Sequence, residues 1–376
     1  MMDLPRLKIG IDIKTKMPVY IRDRHKPTIV SGKSGTGKST LIENFWQEDH
    51  YYGNAKVLVD PSGFLARDCY SISRGKYCSL ESPVPINPMR GNYTEPQIVS
   101  IIMQSLNQVV TASAANTLTT VKMWDILDEE IKFNLSRNRK SLLNVLASVK
   151  NRTGNNETRD GLISRLNFLL NDDRMIKIIC GNNSIEWGEL IKNKETLIVD
   201  CSGMSKEQMI FMGSIVCNGF KDYFRYARVK EYFPVSLYID ECHNFLSSQN
   251  SIFDILKESR KYAISCTLAT QDMATMDERL ARVMLNSGNL IAYRLGYREA
   301  NLFAREMEMS ANDIQFIEKF HLAYLTPQER GIAKAPRPPI IKEVELPKTV
   351  EPQRNSKKPS WFTLEPLESY PQAESQ

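Results

Sequence analysis

Gly32, Gly37, Lys38 and Ser39 fill the four fixed positions of the pattern G-x-x-x-x-G-K-[ST], inside the run IVSGKSGTGKSTL at 29–41. The chemistry served by this spacing is capture of a nucleoside triphosphate, ATP or GTP. Backbone N–H groups of a Gly-rich turn point at the phosphates, Lys38 reaches the β/γ oxygens, and the Ser39 hydroxyl ligates Mg²⁺. The expected nucleotide-binding residues are therefore Gly32, Lys33, Ser34, Gly35, Thr36, Gly37, Lys38, Ser39 and Thr40. Glycine is needed where a Cβ would block backbone approach or where φ is positive. Such a loop must be held between a strand and a helix, and the sequence supplies both: an apolar strand at 28–30 and a helix-forming stretch from Lys38 to Asn44.

A bound Mg²⁺ also needs a carboxylate at the end of a buried strand. Three apolar runs end in aspartate, at Asp60, Asp200 and Asp240, and only Asp240 is followed by glutamate. Asp240 is expected to hold the metal through water, and Glu241 to polarise an attacking water as general base. Two adjacent carboxylates repel each other, a cost that a divalent cation relieves. The pair tilts the reaction class towards hydrolysis. Downstream, Gln271 ends a strand and either senses a γ-phosphate or simply bonds the strand end. Arg260 either stabilises developing negative charge, within one subunit or across an interface, or caps a surface helix. His243 is read as a buried neighbour of the site, because no partner ligands stand at metal spacing.

The 376 residues are 42% apolar and 25% charged, ordinary for a soluble globular chain. No run nears the roughly 18 apolar residues of a membrane span and no signal-peptide core is present, so a cytoplasmic protein without membrane insertion is expected. Seven cysteines at 69, 78, 180, 201, 217, 242 and 266 form no C-x-x-C pair and read as reduced, buried thiols. The net charge of +5 permits a polyanionic partner without requiring one.

Along the chain, alternation at 8–22 around a turn at 14–17 predicts a β-hairpin. Buried parallel strands are predicted at 56–60, 196–200, 235–240, 264–270 and 290–294, separated by helical segments, the pattern of a doubly wound α/β core. Between about 95 and 190 the strands give way to amphipathic helices at 96–110, 118–133, 141–150 and 160–170, an all-α insertion between the second and third core strands. From Lys334 the chain carries eight of its 18 prolines and is expected to be extended or disordered unless a neighbouring subunit captures it. No internal repeat is read. The expected organisation is 1–94 for the hairpin and first part of the core, 95–190 for the insertion, 191–333 for the rest of the core and 334–376 for the tail.

The motif series GKSGTGKST, VLVDPSG at 57–63, INPM at 86–89, LIVDCSGMS at 197–205, YIDECHNFL at 238–246, SRKYAISCTLATQ at 259–271 and LNSGNLIAYRLG at 285–296 resembles the HerA/FtsK superfamily of pumping ATPases. The likeness is greatest to the branch holding type IV secretion coupling and assembly ATPases and archaeal HerA, and it spans roughly residues 8–330. It implies a RecA-like (ASCE) P-loop NTPase core with a mostly parallel sheet. It also implies ATP and Mg²⁺ as cofactors and a hexameric ring of identical subunits that hydrolyses ATP to translocate double-stranded DNA. Carried over position by position, Lys38 and Ser39 match the Walker A residues and Asp240 and Glu241 the Walker B pair. Gln271 matches the γ-phosphate sensor, Arg260 the arginine inserted into the neighbour's site, and Asp60 an acidic residue near the phosphates. Start of the chain about 27 residues before the P-loop strand departs from relatives that carry a barrel or membrane helices, and resembles shortened forms on mobile elements or in viral packaging motors.

For DNA, the candidate contacts are Arg137, Arg139, Lys140, Lys150 and Arg152 in the insertion and Lys221, Arg225, Arg228 and Lys230 beyond it. Each is more often simply the solvated face of a helix. Phe220 and Phe224 read as core rather than base-stacking residues. Two other readings stay open: an energiser of secretion or assembly that moves protein subunits through a secretion channel, and an ATP-dependent scaffold for a nuclease or other effector. A nuclease, a relaxase and a secretion-channel protein are the corresponding partners.

Overall fold

Short aliphatic runs bounded by turn residues fold most readily as strands buried on both faces. In the computed structural model they assemble into one eleven-stranded sheet. The structure describes residues 5–112, 121–153, 156–226, 234–244, 251–258, 261 and 264–348. The strands are β1 (Leu7–Asp12), β2 (Pro18–Ile21), β3 (Thr28–Ser31), β4 (Ala55–Asp60), β5 (Lys76–Cys78), β6 (Thr196–Asp200), β7 (Val235–Ile239), β8 (Ile264–Thr270), β9 (Asn289–Ala292), β10 (His321–Leu325) and β11 (Arg330–Lys334). Their order is β2-β1-β11-β10-β9-β3-β8-β7-β4-β6-β5. From β9 to β5 the pairing is parallel, and from β2 to β9 it is antiparallel.

Every residue of β3, β4, β6, β7 and β8 is buried, so alternate side chains serve two different cores. Ile29, Val57, Leu197, Leu237 and Leu268 enter one core, and Val30, Leu58, Ile198, Tyr238 and Ala269 the other. The second core receives Leu41, Phe45 and Trp46 of helix α1 (Lys38–Tyr51) and Leu65 and Cys69 of α2 (Phe64–Ile72). All seven cysteines are free and buried.

Between β5 and β6 the described chain runs through an irregular stretch at 79–94 and then six helices: α3 (Glu95–Ala112), α4 (Val121–Ser136), α5 (Leu142–Asn151), α6 (Asn156–Leu169), α7 (Asp173–Ile179) and α8 (Trp187–Lys192). Residues 118–120 of the expected second helix lie outside the described residues. Helix α3 packs on α9 (Lys206–Tyr226) through apolar side chains and two buried polar bonds. In these, Ser214 Oγ donates to Gln108 Oε1 at 3.1 Å and Asn218 Nδ2 to Ser105 Oγ at 3.0 Å. Phe220 and Phe224 are buried edge to face in the first core, as their spacing suggested. Among the described residues no helix is long and apolar enough to cross a membrane.

Three strands exceed the sequence expectation. The three-residue β5 extends the parallel edge, so the helical stretch follows β5 rather than the second core strand directly. Strands β10 and β11 return antiparallel, and β11 pairs with β1, stitching the N-terminal hairpin to the sheet. Beyond β11 the chain is irregular but held by its own subunit. Ala335 N–H donates to Phe320 O at 2.8 Å and Asn44 Nδ2 to Arg337 O at 3.0 Å, while Leu346 packs against the second core. Capture by a neighbour is not what positions these residues. Positions 349–376 lie outside the described residues.

Helix α1, whose first turn completes the P-loop, is anchored at its other end by a buried ion pair. Arg24 donates to both oxygens of Asp49, at 2.6 and 2.9 Å, and to Ser236 Oγ at 2.9 Å, while Tyr238 OH donates to Asp49 at 2.5 Å. Burial alone would raise the Asp49 carboxyl, but the Arg24 guanidinium and the donors around it hold it below the usual carboxylate range. Asp49→Ala strands the guanidinium and is expected to cost roughly 3–5 kcal/mol. Urea denaturation checks this, and a change under about 1 kcal/mol would reassign the pair to a surface-like role.

Glu43, on the face of α1 turned to α2, is buried and hydrogen-bonded to Asp68; burial first, then the Asp68 charge, pushes its carboxyl from 4.5 to about 7. The folded state binds this proton where the unfolded chain has released it. The resulting stability is full below pH 4.5 and lost as pH rises through about 7. Glu43→Gln is expected to melt higher than wild type near pH 8, with the gap closing below pH 4.5. Parallel melting curves for the two proteins across that range would count against it.

Candidate functional site

Strand β3 ends at Ser31, the chain turns through residues 32–37, and α1 begins at Lys38. Gly37 sits before the helix at φ +112° with no side-chain cap, and no carboxylate stands in the first turn. The N–H groups of that turn are left to face an anion. Behind the loop lies the ring of Tyr293, one residue past β9, whose N–H donates to Ser31 O at 2.8 Å. A Cβ on Gly32 would stand 2.7 Å from Tyr293 Cβ and 2.7 Å from Thr36 Oγ1, and one on Gly37 would stand 3.3 Å from the Tyr293 ring. Gly32 answers to space alone, and Gly37 to both space and φ.

Lys38 is buried, and its ammonium donates to Gly32 O at 2.8 Å and lies 3.7 Å from Glu241 Oε1. Burial lowers its pKa, against the pull of Glu241 and Asp240. The same Glu241 oxygen accepts from Gln271 Nε2, which enters from the end of β8. Glu241 Oε2 is buried with no hydrogen-bond partner, 3.4 Å from His243 Nδ1, and that nitrogen lies 3.1 Å from Thr270 Oγ1. Glu241 adopts φ +42°, in the left-handed region, where a non-glycine residue costs of order 1–3 kcal/mol. The backbone is bent to aim this carboxylate.

Asp240 stands behind Glu241, whose N–H donates to Asp240 Oδ1 at 3.0 Å. Burial, then Asp60, then Glu241 push the Asp240 carboxyl up to about 7. A buried carboxylate group short of positive charge, with an orphan Glu241 oxygen beside it, fits a divalent cation. Among the described residues no three His, Cys, Asp or Glu side chains converge as a protein-only metal cage. A cation here would need further ligands from phosphate or water.

Ser34, Gly35, Thr36, Gly37, Lys38, Ser39, Thr40, Glu241 and Gln271 line one cleft of about 290 Å³. That is close to the lower bound of roughly 300 Å³ for small-molecule pockets. Gly32 and Lys33 do not line it, and their N–H groups are bonded to Thr270 O and Arg294 O. Asp60 lies beside Asp240 but is consumed elsewhere. It accepts from Ser62 N–H, Ser62 Oγ and Ala66 N–H, and so fixes the start of α2. Arg260 lies outside the described residues.

Of the basic candidates, Arg152 is paired with Glu129 and Glu130, and Lys221 with Asp254. Arg137 stacks on Phe133 at 4.4 Å, and Lys150 is exposed. Arg228 and Lys230 lie outside the described residues, as does the Arg225 side chain. Sequence reasoning missed Tyr293, Phe320, Ala335, Pro336 and Pro338, which complete the cleft. Tyr293 had one available signal, its place at the end of an apolar strand like those that deliver the other site residues.

The steric role of Tyr293 has a direct check. Gly32→Ala is expected to weaken binding of inorganic triphosphate by about tenfold or more, the 1–3 kcal/mol of an overpacked site. Tyr293→Phe, which keeps the ring, should leave that affinity unchanged in the same calorimetric titration. Equal affinities for Gly32→Ala and wild type would remove the argument.

No family model matches the sequence, and no curated protein matches it either. Solved structures do. VirB4 of Thermoanaerobacter pseudethanolicus superposes with a TM-score of 0.71 at 13% identity, covering 90% of this chain and 98% of that one. The plasmid coupling protein TrwB in complex with the non-hydrolysable ATP analogue ADPNP gives 0.68 at 15% identity, over 92% and 93% of the two chains. TrwB in complex with ADP and Mg²⁺ gives 0.67 at 15%, over 92% and 98%. Over nine-tenths of its length the chain has the fold of these proteins, the RecA-like P-loop core with a mostly parallel sheet that its motifs had implied.

Proposed function

We propose that the protein binds ATP with Mg²⁺ in this cleft, hydrolyses it, and couples hydrolysis to translocation of double-stranded DNA as a ring of identical subunits, a hexamer. The observation that carries the reading is the convergence of Lys38 and Gln271 on one oxygen of Glu241 inside a cleft lined by the P-loop. The TrwB complexes with ADPNP and with ADP and Mg²⁺ support the choice of ligands. The seven free, buried cysteines support a reducing, cytoplasmic setting. We read 1–94 and 191–333 as two parts of one ATPase core, 95–190 as an insertion and 334–376 as a tail.

In this reading the P-loop N–H groups and Lys38 hold the β/γ-phosphates. Ser39 and, through water, Asp240 would hold Mg²⁺, which when bound would supply neutralisation of phosphate charge. Glu241 orients a water towards the γ-phosphorus and takes its proton as the P–O bond to ADP breaks. Gln271, already bonded to Glu241, links the presence of a γ-phosphate to the position of the base. Arg260 acts on the neighbouring subunit's site, and Asp60 acts indirectly, by setting α2 and the charge around Asp240.

One observation favours a second reading. Arg152 and Lys221, two of the basic residues nominated for DNA, are spent on carboxylates of the same chain. That suits an ATPase that moves protein subunits or serves as a scaffold for a secretion-channel, relaxase or nuclease partner. ATPase assays with and without double-stranded DNA at low salt separate the two, since phosphate contacts are strongest there. DNA should stimulate the wild type. Glu241→Gln should lose about 10²-fold or more in turnover while keeping ATP affinity, and Lys38→Ala should lose the affinity. Turnover indifferent to DNA sinks the translocase reading, and full activity in Glu241→Gln sinks the assigned base.

A further inference from the structure

The cleft has two unlike walls. One is the P-loop with Lys38, Glu241 and Gln271, and the other is made by Phe320, Ala335, Pro336 and Pro338. The second wall carries no polar side-chain atom. Of its backbone groups, Pro336 and Pro338 have no N–H to offer, Ala335 N–H is spent on Phe320 O, and Arg337 O accepts from Asn44. Asn44 also donates to Thr40 O at 2.8 Å, so it ties this wall to the first turns of α1.

Phe320 is 58% exposed, unusual for an aromatic ring in the lining of a cleft, and sits at φ +63°. A bulky residue in the left-handed region is a genuine outlier, and such residues persist where surrounding structure over-determines them, ligand clamps included. Here the constraint is visible. Strand β10 starts at the next residue, and the chain leaving β11 bonds back to the Phe320 carbonyl. The two antiparallel strands therefore hold an exposed ring at the mouth of a phosphate cradle.

We propose that Phe320, with Pro336 and Pro338, forms the base subsite of this cleft, and that it takes a purine nucleoside triphosphate by the face of its base without selecting between adenine and guanine. The inference rests on the nucleotide reading above and adds its substrate class. A flat apolar wall stacks on any purine, whereas discrimination between bases needs donors and acceptors aimed at their edges. Sites built on such hydrogen bonds reject the wrong partner by factors of about 10⁴ or more, and apolar ones by far less. Lys319 Nζ, 5.0 Å from the Phe320 ring centre, adds charge to the ring without reading an edge.

Steady-state hydrolysis by the full chain, with inorganic triphosphate binding measured alongside, tests this. Wild-type kcat/KM for ATP and GTP should agree within about tenfold. Phe320→Ala should raise KM for both by about tenfold or more with kcat little changed, as lost stacking predicts. Phe320→Trp should restore both KM values, and inorganic triphosphate, which has no base, should bind wild type and Phe320→Ala equally. A preference for one purine beyond tenfold, or unchanged KM in Phe320→Ala, overturns the proposal. Wild type that binds neither nucleotide nor inorganic triphosphate overturns the nucleotide reading beneath it instead.

Discussion

The site depends on a steric constraint: Tyr293 occupies the space that side chains at Gly32 and Gly37 would need, with its Cβ at the first and its ring at the second. A loop that bare can wrap closely, and its shape is set from behind by Tyr293 together with its own bonds from Thr36 Oγ1 to Lys33 O and from Lys38 Nζ to Gly32 O. Tyr293 is placed by β9, which pairs with β3 in parallel register, so the buttress and the loop it supports leave the sheet side by side. The far end of α1 is fixed by the Arg24–Asp49 pair, which reaches β7 through Ser236 and Tyr238. The helix is thus held at both ends by the strands that carry the rest of the site. Its direction, and with it the aim of the first-turn N–H groups, follows from the sheet.

Three aspartates end neighbouring strands, and hydrogen bonding gives them different work. Asp60 and Asp200 are directly paired in register across β4 and β6, and each accepts from the N–H of the serine two residues on, Ser62 and Ser202, at 2.8 Å. The glycine that follows each serine, Gly63 or Gly203, sits at φ +78°. The two D-x-S-G turns are a short repeat in space that the sequence reading did not register. Tyr77 OH takes the other oxygen of Asp200, and Ala66 N–H that of Asp60. Asp240, by contrast, is left with the N–H of Glu241 and two neighbouring carboxylates, and its raised pKa expresses that shortage. The sequence distinguished Asp240 by the glutamate after it, and hydrogen-bond occupancy distinguishes it independently.

What could be read in advance follows the range of the interactions involved. The P-loop, the five long parallel strands and the capped helix beginning after Ser141 carry their signals locally, in apolar runs, glycines and a capping serine. Strands β10 and β11 pair with each other across a short turn, but their place in the sheet comes from pairing with β9 and with β1, the latter more than 300 residues away. The prolines after Lys334 read as a disordered tail because composition reports what a segment cannot bury, not what it lies against. Two of them, Pro336 and Pro338, line the cleft instead, where their missing N–H groups are no liability. Asp60 shows the reverse case. The resemblance implied a place near the phosphates, and the structure sets it beside Asp240, but the three donors that bond it belong to local turn geometry that the motif alone does not convey.

Lys38 and Glu241 also impose an order on events in the proposed reaction. Without ligand the ammonium is satisfied by Gly32 O and the Glu241 carboxylate, at 2.8 and 3.7 Å, and the carboxylate is further held by Gln271. One of its two oxygens, Oε1, therefore faces an ammonium and an amide rather than a water. At this separation and an effective dielectric near 20 the charge pair is worth up to about 4 kcal/mol before desolvation is counted, enough to hold the arrangement. Entering phosphates carry more negative charge than Glu241 and compete for Lys38 directly. Their arrival would draw the ammonium away and leave Glu241 restrained by Gln271 alone, with its second oxygen already free of partners. In the proposed reaction the substrate that needs the base would thereby free its first oxygen as well.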